Sequence, residues 1–282
     1  MQHTYKRKDS VKKYDLLRDV PKNVKEEFAK IILNESKNKS ILDLGFGTGN
    51  ILISLVKLNK SSKIYGIDNS GEMISFVKNK ISKEIILFKG DLNQFKKKYG
   101  LVDVLHFKAI LHCIDKPEVM IDKIINSVSI GGLIITSHEV SQTEDRIEQI
   151  FDYTRIDDPE VEIIFEKYFR LRTDIGKPFV SRKFPAGNSD RVVDYFLKTK
   201  KCSLVKSVED KNLFWKREIK ILDLLESIKF GTFGVFFDSL SQENRNYIYV
   251  ELKKFCEEKN ININKKRLLP CKFKINILRR KI

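Results

Sequence analysis

The sequence predicts an α/β protein built on a doubly wound, mostly parallel seven-stranded sheet, with helical insertions after the fifth and sixth strands. Three observations carry this. Short apolar runs alternate with amphipathic stretches of helical spacing from Val24 to Ser137. The first strand runs straight into glycines at alternate positions, Gly45, Gly47 and Gly49, which let the backbone turn sharply between a strand and its helix. After Glu139 the chain changes to charged, amphipathic segments.

Taken in order, Val24–Leu33 (VKEEFAKIIL) has helical spacing and leads into a strand near 41–46. A helix follows from Asn50 to Leu58, then a strand over 63–68 and a helix over 71–80. The third strand lies at 85–89 and the fourth at Leu101–Phe107. A helix near 117–128 precedes Gly131-Gly132 and the fifth strand, Leu133–Ser137. Residues 144–172 read as a helical hairpin, Gly176–Asn188 as a loop and Ser189–Lys200 as a helix returning to the sheet. Leu204–Val208 is the sixth strand. Helical patterns resume from Asn212 to Asn260, broken by Gly231 and Gly234, and Cys271–Ile282 (CKFKINILRRKI) alternates apolar and basic residues as a last strand. The expected organisation is an N-terminal helical segment over 1–34 and a sheet domain from 35–143, 188–210 and 268–282. Helical caps over 144–187 and 211–267 complete it.

At 282 residues and 41% hydrophobic, the chain can bury a substantial core. Lys and Arg number 54 against 38 Asp and Glu, a formal charge of +16. That balance attracts nucleic acid. The lysines are spread along the whole chain, however, with no dense basic block interleaved with aromatics, so a compositional bias explains them more simply. The four cysteines, Cys113, Cys202, Cys256 and Cys271, form no C-x-x-C pair, which argues against a zinc ribbon and fits a reduced compartment. No apolar run reaches the length of a membrane span, and MQHTYKRKDS has no apolar segment behind its charges. A cytoplasmic protein without a membrane partner is expected.

The stretch Ile41–Asn50, ILDLGFGTGN, carries most of the functional signal. Asp68 closes the second strand about 20 residues beyond the glycines, where a carboxylate meets a ribose diol. A dinucleotide fold requires G-x-G-x-x-G. The third position is Asn50 in one register and Leu52 in the other, so both fail. What the chain has instead is an acid two residues before the first glycine: Asp43-Leu-Gly45-Phe-Gly47-Thr-Gly49. A pyrophosphate is held by helix-end amides, away from negative charge. A cofactor with no phosphate and with positive charge would suit a carboxylate at the loop.

Over roughly residues 35–210 the chain resembles the class I S-adenosylmethionine-dependent methyltransferases, closest to those acting on small molecules, whose fold is Rossmann-like and whose first motif is an acid followed by G-x-G-x-G. The resemblance implies that Asp43, Gly45, Gly47 and Gly49 line the cofactor and that Asp68 and Asn69 serve its ribose. It implies that Asp91 accepts from the adenine amino group while Leu92 packs on the ring; an Asp in that place also caps a helix. Phe107 and Lys108 would border the methionine end. Met73 lies near adenine or in the core, and Tyr14, within KKYDLL, belongs to a segment that in relatives folds over the cofactor.

Methyl transfer is an in-line displacement, driven largely by alignment and exclusion of water. A hydroxyl or amine acceptor also needs a base. His112, within AILHCI, and His138 follow the fourth and fifth strands and are the candidates. Asp115 and Glu139 are too few acids for a metal site, so none is expected. The tetrapeptide of amino-group nucleic-acid enzymes is absent, since its place reads Phe107-Lys-Ala-Ile. The only Pro-Cys, Pro270-Cys271, lies in the last strand. A small-molecule acceptor is therefore expected, with the insertions supplying an aromatic pocket from residues such as Phe151, Phe165 and Trp215. An RNA or protein methyltransferase and a non-catalytic cofactor-binding regulator are the alternatives.

Overall fold

The computed structural model describes residues 8–36, 39–81, 85–108, 110–111, 114, 116–140, 158–178, 189–231 and 240–282. Its strands are β1 (Ser40–Leu44), β2 (Lys63–Asp68), β3 (Ile86–Lys89), β4 (Val102–Lys108), β5 (Val128–Val140), β6 (Cys202–Val208), β7 (Phe214–Ile219) and β8 (Arg267–Arg280). The helices are α1 (Lys8–Leu17), α2 (Lys22–Glu35), α3 (Leu52–Leu58), α4 (Gly71–Lys78), α5 (Leu92–Tyr99), α6 (Pro117–Ile125), α7 (Pro159–Asp174), α8 (Ser189–Lys198), α9 (Ile221–Phe230) and α10 (Gln242–Glu258). They fall into two compact units: Val20–Val140 with Ala186–Trp215 and Cys271–Ile282, and Met1–Asp19 with Ser141–Pro185 and Lys216–Pro270.

The first unit is a doubly wound sheet in the order β3-β2-β1-β4-β5-β8-β6. Strands β1 to β5 run parallel, and β8 is antiparallel to both β5 and β6. The chain winds outward through β1, β2 and β3, then returns to place β4 on the other side of β1. That reversal creates a switch point at the carboxyl ends of β1 and β4, where such sheets bind ligands. Because β1 lies between two partners, its residues Ile41 to Leu44 are all buried.

Both faces of the sheet are covered. On one, Phe28 of α2 meets His106 and Phe273 edge-on, with ring centroids 5.4 and 5.0 Å apart. The inward residues of α2, Val24, Phe28, Ala29 and Ile32, are all apolar. On β4 the neighbouring Phe107 is fully buried and lies 6.1 Å from the Phe196 ring of α8. Gly66 of β2 is a close approach rather than a turn: a Cβ there would sit within 2.9 Å of Phe46, Leu52 and Leu87.

The second unit has its own core, with Val161, Ile164 and Tyr168 of α7, Leu224 and Ile228 of α9, and Ile248 and Leu252 of α10. Asp158 caps α7 by accepting from the Glu160 amide at 2.9 Å, and Arg267 Nε donates to the same carboxylate at 2.6 Å. Arg267 also donates to Glu160. Burial opposes ionisation of Asp158, but the guanidinium and the helix amides outweigh it and hold the carboxyl below its usual range. Tyr168, whose hydroxyl accepts from Arg172 at 3.2 Å, is pushed up to about 12 by burial.

The seven expected strands become eight. β7 pairs with β8 off the main order, in a stretch where helical patterns were expected. Its sequence, FWKREI, does alternate, with Trp215, Arg217 and Ile219 buried and Phe214, Lys216 and Glu218 exposed. A buried arginine at an inward position disguised that alternation. The fifth strand is also longer than expected and starts at Val128, ahead of Gly131-Gly132. The glycine pair sits at an irregularity where the register with β4 shifts, and a Cβ on Gly132 would lie 2.7 Å from the Asp103 carbonyl.

The Gly66 contact gives a direct test. Gly66→Ala inserts a methyl into a packed layer and should lower stability by about 1–3 kcal/mol, measured by urea denaturation. No loss would mean that the loop and α3 do not press on β2 as described.

Candidate functional site

The turn after β1 is held by its backbone. Gly45, Gly47 and Gly49 have φ of 68°, 57° and 77°, the left-handed region that favours glycine. The Gly45 amide donates to the Ile67 carbonyl at 2.7 Å and the Gly49 amide to the Phe46 carbonyl at 2.9 Å. The three glycines differ in surroundings. A Cβ on Gly45 would lie 2.6 Å from Ile110 Cγ2 and one on Gly49 2.8 Å from Val77 Cγ2, whereas one on Gly47 would meet nothing within 4 Å. Among the described residues nothing therefore crowds Gly47, and its bare backbone can lie against a ligand.

The loop is tied to the end of β2 through Asp68. The Gly47 amide donates to Asp68 Oδ2 at 2.9 Å and the Ser70 amide to Asp68 Oδ1 at 2.9 Å. The carboxylate retains acceptor capacity for a further donor. Burial pushes the Asp68 carboxyl above its ordinary value of 3.8; the Ser70, Gly47 and Asn69 amides pull it down, and the nearby Asp43 charge adds to the rise.

Asp43 is buried one strand away, opposite His106 in the β1–β4 register. His106 Nδ1 lies 2.9 Å from Asp43 Oδ1 and His106 Nε2 lies 3.1 Å from Ser137 Oγ on β5. A carboxylate only accepts, which assigns the Nδ1 proton to His106; the Ser137 hydroxyl can serve Nε2 as donor or as acceptor. Sequence reasoning missed His106, treating it as part of an apolar strand. The available signal was a polar side chain on the strand adjoining β1, at the level of Asp43.

The other expected site residues are distributed as follows. Asn69 is exposed at the end of β2, beside Asp68. Asp91 is the N-cap of α5: its Oδ1 accepts from the Asn93 and Gln94 amides at 2.8 and 3.0 Å, within a capping box completed by Gln94. Leu92 and Met73 are buried at the starts of α5 and α4. Lys108 ends β4 with its ammonium 5.2 Å from the Phe273 ring. His138 is buried on β5, next to Ser137. Tyr14 lies on α1, which belongs to the second unit. His112, Cys113, Asp115, Phe151, Tyr153, Phe233, Phe236 and Phe237 lie outside the described residues. Among the described residues, no group of three or more His, Cys, Asp or Glu could hold a metal ion, and no helix is long and apolar enough to cross a membrane.

Residues 35–172, just under half of the chain, match the family model of a methyltransferase domain. A carboxy-S-adenosyl-L-methionine synthase of Campylobacter jejuni is 32% identical over 110 residues, 37% of this chain and 46% of that protein. An uncharacterized methyltransferase of Bacillus mycoides is 31% identical over 127 residues, 43% of this chain and 59% of that protein. The chain thus spans about half the length of the curated relatives it matches. Among solved structures, a putative methyltransferase from Bacillus halodurans aligns with a TM-score of 0.49 at 11% identity, covering 91% of this chain and 98% of the other.

Asp68 links the site to stability. The folded protein binds this proton more tightly than the unfolded chain does. The stabilisation it contributes is complete below the unfolded value and is lost as pH rises through the elevated folded one. Asp68→Asn removes that titration, at the expense of one amide acceptor. Its melting temperature relative to the native chain should therefore climb as pH rises above about 4. A difference independent of pH would show that Asp68 does not titrate with a raised value.

Proposed function

We propose that the protein is a class I S-adenosylmethionine-dependent methyltransferase, an enzyme transferring a methyl group from S-adenosylmethionine to O, N or C of a small molecule; the match of residues 35–172 to a methyltransferase-domain model supports the reading. One observation carries the reading: a glycine loop open at Gly47 stands between two buried carboxylates, Asp43 and Asp68, at the switch point of the sheet.

The residues present suit that cofactor. Two buried acids repel a pyrophosphate but attract a ligand carrying an ammonium, a sulfonium and a ribose diol. When bound, the cofactor supplies an electrophilic methyl on a positively charged sulfur. Asp68 would accept from ribose hydroxyls with the acceptor capacity its amide partners leave. Asp43 would stand beside the loop, and Asp91 would offer its second oxygen to the adenine amino group while its first caps α5. Lys108 and Phe107, at the end of β4, would border the methionine portion.

The acceptor must give up a proton if it is a hydroxyl or an ammonium. His138, 5% exposed, is the described candidate base, and His112 is the other. A small acceptor is favoured over nucleic acid because the lysines form no dense basic block, although the chain carries a charge of +16. RNA binding that falls steeply with salt would reverse that preference.

Calorimetry decides the cofactor. S-adenosylmethionine should bind more tightly than NAD, and Asp68→Ala should weaken it by about 1–3 kcal/mol, the range for a hydrogen bond to a charged group. Tighter binding of NAD would overturn the reading. Incubation with S-adenosylmethionine and candidate acceptors, followed by mass analysis, separates methyl transfer from conversion of the cofactor to carboxy-S-adenosyl-L-methionine, an alternative raised by the name of the Campylobacter relative.

A further inference from the structure

A strand covered on both faces is ordinarily apolar throughout. The later part of β5 instead reads Thr136, Ser137 and His138, and all three are buried. Ser137 lies against His106, but Thr136 points to the opposite face. The register aligns Thr136 with Phe107 of β4 and with Asn276 of β8, and Asn276 in turn with Ser207 of β6. These residues form one row across four strands. Phe107 meets Phe196 of α8, which puts the row on the α8 face of the sheet.

Two atoms in that row are orphaned. Thr136 is 0% exposed and Asn276 1%, and neither Thr136 Oγ1 nor Asn276 Nδ2 has a hydrogen-bond partner among the described residues. The other end of the amide is engaged, because Asn276 Oδ1 accepts from the Ser207 hydroxyl at 2.6 Å. Thr136 and Asn276 stand opposite each other on one face, yet no direct bond joins them. Exchanging the amide nitrogen and oxygen changes which of them meets Ser207, but brings neither position nearer to Thr136. The covering helix adds no polar group from its buried side, where Val192, Val193 and Phe196 are apolar. On the same face the preceding row is Ile134 and Leu278, both fully buried.

Leaving a buried donor and a buried hydroxyl unmet is costly, whereas an apolar pair of similar shape would continue the core at no such cost. A group that satisfies both atoms must accept from the amide and also bond the hydroxyl. No charged side chain belongs to the row, so that group is neutral. Water has the required size and both functions, and a buried water takes about two to four polar partners.

We propose that Thr136 and Asn276 form an internal water-binding site, in which one water accepts from Asn276 Nδ2 and shares a hydrogen bond with the Thr136 hydroxyl. The bridge extends the Ser207–Asn276 bond of β6 and β8 across to β5. Ser207 is exposed, so the row reaches solvent at the outer edge of the sheet. The bound water pins the register of β8, the antiparallel strand inserted between β5 and β6. A slip of one residue would turn Asn276 to the other face and leave the Thr136 hydroxyl unmet. This site is independent of the cofactor reading.

Thr136→Val tests the proposal through the sign of its effect. Valine matches threonine in shape and suits a strand. If the hydroxyl has no partner, replacing it with a methyl leaves the melting temperature unchanged or raises it. If the hydroxyl holds a water, the replacement breaks that bond, and the melting temperature should fall by about 2–4 °C. A crystal structure of the native chain, at a resolution that shows ordered water, gives the second readout. It should show a water within hydrogen-bond distance of both Thr136 Oγ1 and Asn276 Nδ2. An unchanged or raised melting temperature, a direct Thr136–Asn276 bond, or no water at that position would each overturn the proposal.

Discussion

Two carboxylates buried at the same edge of one sheet impose the constraint on which the rest of the site depends. Asp43 and Asp68 are both buried, and the Asp43 charge adds to the burial that raises the Asp68 carboxyl. Among the described residues, neither pairs with a lysine or arginine. Asp68 is supported by backbone amides of the loop and of the turn into α4, and Asp43 by an imidazole. The geometry of the loop follows from this. An amide can point at Asp68 from Gly47 only if the chain enters the left-handed region there, which is where glycine is preferred over other residues.

The same bond connects the strand order to the chemistry. The Gly47–Asp68 bond requires β1 and β2 to be neighbours with their carboxyl ends level, and the register pairs Leu44 with Ile67 one step before Asp68. The Asp43–His106 bond imposes the same requirement on β1 and β4, which pair Asp43 directly with His106. One step along either strand would turn the side chain to the opposite face. The central strand is thus fixed on both sides by polar contacts as well as by apolar packing, with Phe28 closing one side of the His106 layer.

How much of this the sequence disclosed depended on whether a signal was local. The loop was legible because its spacing and its leading acid lie within ten residues, and the strand–helix alternation was legible because each period fits in a short window. Trp215 shows the opposite case. It was grouped with helical aromatics, whereas its strand is defined by Arg217 and Ile219 pointing inward with it, and a buried arginine breaks the apolar pattern that identifies strands. His106 was illegible for another reason. Its partner is 63 residues away, and only the register of two strands that are not consecutive in sequence makes them meet. Asp91 was legible as either a cap or a ligand, and the observed capping box occupies only one of its two oxygens, so the two roles are compatible.

Among the described residues no lysine or arginine pairs with either acid, which bears on ligand choice. Burial, with a smaller contribution from the Asp43 charge, raises the Asp68 carboxyl, and donors or positive charge would relieve that cost. A phosphate-bearing nucleotide would add to that cost, however well its adenosine fitted. A diol relieves it at Asp68 by donating hydrogen bonds, and a cation relieves it at Asp43 by attraction, so a ligand carrying both gains at both positions. On the proposed reading, discrimination against dinucleotides would rest on these two carboxylates as much as on the missing third glycine, and a lysine placed beside Asp43 would weaken it without altering the glycine motif at all.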